Sequence, residues 1–100
     1  MKVYEVTIQR PWDGKETISI HMTRKGALQV ACIEGLDIIS GFDDLEDESQ
    51  AEWVEENLET LLNPDHTLKI KDLDELFNKC AEFLWSVEME IEVLEYTLKP

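Results

Sequence analysis

Two runs of strict alternation stand near opposite ends of the chain, and whatever lies between them must fold so that both are covered. Val3 to Gln9 places Tyr4, Val6 and Ile8 on one side and Glu5, Thr7 and Gln9 on the other, a period of two that marks a half-buried strand. From Val87 the period returns: Val87, Met89, Ile91 and Val93 alternate with Glu88, Glu90 and Glu92. The phase breaks at Val93-Leu94, where Leu94, Tyr96 and Leu98 take the other side. The pattern predicts one long strand with a bulge or an edge switch at that point. Glu, Met and Leu are also good helix formers, so a helix is the competing reading of this segment.

A third alternating run follows the first directly. Glu16 to Thr23 puts Ile18, Ile20 and Met22 inward and His21 on the polar side. Arg10-Pro11-Trp12-Asp13-Gly14 between the two runs supplies turn chemistry, since Pro fixes φ and Asp-Gly tolerates the positive φ of tight hairpins. The first two strands are therefore predicted to form a hairpin.

The centre reads in a different period. Thr23 is placed to cap a helix whose stripe is Leu28, Ala31, Cys32, Gly35, Leu36 and Ile39, with Gly41 as its stop. Gly35 within that stripe costs about 1 kcal/mol against Ala, and its expected use is to let another backbone approach. Ser49 and Glu52 form an S-x-x-E capping box ahead of Ala51, Val54, Leu58 and Leu61, and Asn63-Pro64-Asp65 ends that helix. Thr67 to Ile70 reads as a short extended connector. Asp72 and Glu75 repeat the capping pattern before the stripe Leu73, Leu76, Phe77, Cys80 and Leu84.

The order is β-β-α-α-α-β in one domain spanning residues 1–100, of ordinary single-domain size. One-sided strands need a cover and amphipathic helices need something to lie on. The expected fold class is α+β: a small antiparallel three-stranded sheet with the helices packed on one face and the last strand beside the first.

Charge is the other departure from average. The chain carries −14, and residues 26–68 hold twelve carboxylates with no Lys or Arg. Phe42-Asp43-Asp44-Leu45-Glu46-Asp47-Glu48 runs straight into the second helix, which bears Glu52, Glu55, Glu56 and Glu59. Such a chain repels nucleic acid and anionic lipid and attracts basic surfaces, so neither direct nucleic-acid binding nor membrane association is expected. Met1-Lys2-Val3-Tyr4-Glu5 lacks the basic start and apolar run of a signal peptide, and the expected location is cytoplasmic.

Little in the sequence points to chemistry. Cys32 and Cys80 fall on apolar stripes and read as buried free thiols. His21 and His66 have no Cys or His at ligand spacing, and the acidic stretch lacks the turn glycine of a calcium loop, so no metal and no cofactor are expected. Phosphate-cradling glycine loops and G-x-S-x-G are absent, and a non-enzymatic role is expected. Of the tryptophans, Trp85 reads as core and Trp53 as packing at the edge of its helix stripe. Trp12, at the hairpin turn, reads as the most exposed of the three, a candidate contact residue or else a ring folded back onto the sheet.

The acids are placed so that they repel one another. Glu52–Glu56 and Glu55–Glu59 lie four apart, Glu52–Glu55 and Glu56–Glu59 three apart, and four such pairs cost a helix about 1–2 kcal/mol. Glu88, Glu90 and Glu92 add a second row, at a strand spacing of about 6.7 Å. In size and charge pattern the acidic stretch, the second helix and this ladder resemble the small phage-borne inhibitors of host nucleic-acid enzymes, anti-CRISPR proteins and other DNA mimics among them. The resemblance implies a cytoplasmic inhibitor that blocks a basic nucleic-acid-binding surface of a host defence or DNA- or RNA-processing complex. Asp43, Asp44, Glu46, Asp47 and Glu48 would act with Glu52, Glu55, Glu56 and Glu59 as phosphate surrogates, with apolar anchoring from Leu45 and Trp53. The alternative is a small phage or bacterial interaction module in which the acids only solvate and contacts run through Trp12 or an open sheet edge. An intermediate case is a homodimer paired along the last strand.

Overall fold

The computed structural model describes residues 1–41, 48–63 and 68–98, with residues 48–50 described for their backbone alone. Three strands, β1 (Lys2–Arg10), β2 (Gly14–His21) and β3 (Glu90–Thr97), form one antiparallel sheet in the order β2-β1-β3. Three helices, α1 (Arg24–Ser40), α2 (Glu48–Leu62) and α3 (Ile70–Ser86), lie between β2 and β3 in the chain. The element order is the expected one, and the last strand does lie beside the first. β3 is a strand rather than a helix because its apolar alternation continues β1's buried row: Val6 faces Val93 and Ile8 faces Ile91.

The hairpin closes as its residues require, with Gly14 at φ 69°, the left-handed conformation that costs glycine nothing. The irregularity in the sheet is not where the sequence suggested. β1 and β3 pair without a break from Lys2–Thr97 to Gln9–Glu90, so Leu94 and Tyr96 reach the uncovered face by plain alternation, with no bulge in β3. The extra residue sits in β2 instead. Val6 faces Ser19 and Thr7 faces Thr17, which leaves Ile18 unpaired. One inserted residue inverts the faces of everything beyond it. Ile18 still packs on the core, but Ile20 is turned onto the open face and Met22 stands just past the strand, 64% and 63% exposed. The expected inward pair Ile20 and Met22 is thus overturned. His21, expected on the polar side, turns toward the helices, where its Nε2 shares a 2.7 Å hydrogen bond with Ser19 Oγ.

α1 is the hub. Thr23 caps it, accepting from the Gly26 N–H at 3.1 Å. Its stripe packs on all three strands and on α2 and α3, burying Leu28, Cys32, Leu36 and Ile39 to 2% exposure or less. α3 lies along α1 and against β3. Gly35 permits that approach: a Cβ there would lie 3.2 Å from Cys80 Cβ, so the neighbour it admits is a side chain rather than a backbone. An Arg24–Asp74 pair at 2.5 Å clamps the N-terminal ends of the two helices together. α2 touches neither sheet nor α3. It leans on α1 through Val54 and Leu61 and forms a flank of its own.

Two helix starts differ from expectation. α3 begins at Ile70 after Lys69, whose side chain makes no cap, and Asp72 sits inside the first turn. There its charge favours the positive pole of the helix instead of capping it. Ile70, read as the end of the connector, is therefore its first helical residue. α2 already includes Glu48, so Ser49 lies within its first turn rather than ahead of it; the Ser49 side chain is outside the description.

Candidate functional site

The α2 flank is the clearest of the expected surfaces. Val54 is 2% and Leu61 6% exposed, and these two fix the rotation of the helix on α1. Trp53 packs half-buried at the edge of the core, as expected from its place beside the stripe. That rotation sends Glu52, Glu55, Glu56 and Glu59 to solvent, all four exposed. Among the described residues, none has a Lys or Arg within ion-pair distance. At 1.5 Å per residue the four span about 10.5 Å, one charge per about 3.5 Å of axis, and one strand of duplex DNA carries one per 3.4 Å.

The other expected acids divide. Asp43, Asp44, Glu46 and Asp47, with Leu45, lie outside the described residues, and of Glu48 only the helical backbone is described. Glu90 and Glu92 stand on the uncovered sheet face, opposite the buried Met89 and Ile91. α2 leans on α1 and does not reach the sheet, so these two rows belong to different sides of the molecule and not to one continuous face. Glu88 does not extend the ladder. It precedes β3 in the turn after α3, at a left-handed φ of 63°.

The ladder is also partly neutralised. Lys15 Nζ lies 3.6 Å from Glu92. A hydrogen bond with Glu92, and its charge, raise the Glu90 carboxyl above its ordinary value. Glu5 shares this face and ties the sheet across. It accepts from Thr17 Oγ1 at 2.7 Å on one side and from Tyr96 Oη at 3.1 Å on the other. That second bond raises the Tyr96 phenol. With Ile20, Leu94 and Tyr96 beside them, these groups make the uncovered face half polar and half apolar.

Trp12 is exposed, 72%, as its turn position suggests. Trp85, read as core, is 70% exposed. The signal was present: Asn78, Glu82 and Trp85 follow one another at helical spacing on the side away from Leu73, Leu76, Cys80 and Leu84. Adjacency to the last strand outweighed helical phase in that expectation, and the phase decides.

Burial pushes the Cys32 thiol up to about 12 and the Cys80 thiol up to about 11, so both stay protonated and unreactive at neutral pH. Among the described residues no three His, Cys, Asp or Glu converge as a metal site would need. No helix among them is long and apolar enough to cross a membrane. Comparison with protein families, curated proteins and solved structures returns no match.

Proposed function

We propose that the chain is a non-enzymatic binding protein whose α2 glutamates dock on a basic, nucleic-acid-binding surface of another protein and exclude the polyanion from it. The observation that carries this reading is the row of Glu52, Glu55, Glu56 and Glu59, which has no ion-pair partner among the described residues and whose mean charge density along the helix axis is close to that of a nucleic-acid strand. Binding of this kind displaces condensed counterions, so affinity falls with salt, and charge steering speeds encounter. A host defence or DNA- or RNA-processing complex is the partner class that the resemblance to anti-CRISPR proteins suggests, with a cytoplasmic site of action.

The test is retention of lysate proteins on the immobilised chain at low salt, followed by elution with duplex DNA. Nucleic-acid-binding proteins should be retained and released by the competitor. The Glu52→Gln/Glu55→Gln/Glu56→Gln/Glu59→Gln variant should lose them. Equal retention by that variant would remove α2 from the interface.

The homodimer reading rests on the outer edge of β3, which no strand of this sheet occupies. Pairing along that edge would bring Glu90, Glu92 and Glu95 of one copy close to the acids of the other, and like charge on an edge strand is a device by which sheet edges avoid pairing. Light scattering during size-exclusion chromatography should therefore give a monomer at low salt.

A further inference from the structure

The end of α3 carries an arrangement that the α2 face does not explain. Trp85 stands between two surface hollows of about 510 and 620 Å³, and Met89 and Glu90 line both with it. Each volume is in the range of small-ligand sites, about 300–1,000 Å³.

Three attractions for a positive charge meet there. Glu82, Glu88 and Glu90 supply carboxylates. Arg10, the cation that lines one hollow, is held by Glu16 at 3.0 Å, and Lys15 lies beside Glu92. α3 ends here without a basic residue in its last turn, so the negative pole of the helix is not offset. The exposed indole adds a face that attracts cations. Glu88 is fixed in place by the turn: its N–H donates to Trp85 O at 3.0 Å and that of Met89 to Leu84 O at 2.8 Å.

We propose that these hollows receive a lysine or arginine side chain from a basic segment of a partner protein, its stem along the exposed ring of Trp85 and its charged head at Glu88 and Glu90. Charge complementarity selects this occupant, because an acidic or wholly apolar segment would leave the carboxylates desolvated and unpaired. The site goes beyond the α2 reading and uses different elements.

In the Trp12→Phe/Trp53→Phe variant Trp85 is the sole tryptophan, and this protein, excited at the red edge where tyrosine does not absorb, is titrated with a short peptide of alternating arginine and glycine. The emission should change and saturate. Adding Glu88→Gln/Glu90→Gln should weaken half-saturation by at least about tenfold, the loss expected for charge-assisted hydrogen bonds. Neutralising the four α2 glutamates in the same background should move it by no more than about twofold, a steering effect alone. Trp85→Ala, followed by calorimetry, should match the Glu88/Glu90 loss while leaving the thermal melt near that of the parent, since the ring is exposed. An unresponsive Trp85 would overturn the proposal, as would a loss that tracks the number of charges removed from either element. So would spermidine saturating the site as tightly as the peptide, which would make the occupant a free polyamine. Loss confined to the α2 variant would refute this site and leave the α2 reading standing.

Discussion

At the scale of single residues, Glu88 is the least comfortable position in the described chain. The turn that closes α3 needs a left-handed residue, and glycine ordinarily fills it. A side chain in that conformation costs about 1–2 kcal/mol. Glu88→Gly is therefore expected to stabilise the chain by about 1 kcal/mol, raising Tm by about 4–8 °C in a thermal melt. A fall in Tm would mean that the Glu88 carboxylate makes contacts worth more than the strain. Trp85 carries a related lesson, because its exposure follows from one helical step of phase. Placing an indole in water and a glutamate in left-handed backbone, three residues apart, is what local stability alone would not select.

At the scale of elements, α2 shows the same tension between stability and surface. Four like-charge pairs on one helix oppose its formation, and Val54 and Leu61 hold it to α1 nonetheless. Neutralising Glu52, Glu55, Glu56 and Glu59 to Gln is expected to stabilise the chain by about 1–2 kcal/mol at low salt. The gain should shrink as salt screens the repulsion, and urea denaturation at two ionic strengths measures it. A variant no more stable than the parent would show that the four charges do not interact on the folded helix. The existence and order of all six elements were legible from periodicity, and so were the Thr23 cap and the Asp-Gly turn. The β2 bulge was not. Periodicity reports which residues are apolar, whereas a bulge is set by how two strands twist against each other, and Ile20 keeps its apolar character on either face. Asp72 misled for a similar reason, since an acid favours the first turn of a helix almost as well as the cap.

At the scale of the whole molecule, α1, packed on the sheet and along α3, makes the core one unit, and both thiols sit in it. Their folded-state pKa values, about 12 for Cys32 and about 11 for Cys80, lie above the ordinary 9.0. The folded chain thus holds these protons more tightly than the unfolded chain. The stability this contributes is complete below pH 9 and is lost as pH rises toward 11 and 12. Urea midpoints should accordingly fall above pH 9, and Cys32→Ala/Cys80→Ala should flatten that alkaline limb. An unchanged limb would assign the alkaline loss to other groups.

The sequence by itself determined the class of fold, because one-sided strands and striped helices leave few ways to hide their apolar faces from water. It also determined the sign and concentration of charge, which no folding can alter. Tertiary structure alone decided where those charges stand relative to one another. α2 leans on α1 and Glu90 and Glu92 lie on the far side of the sheet, because each element turns by its own apolar contacts and carries its charges wherever that rotation points them.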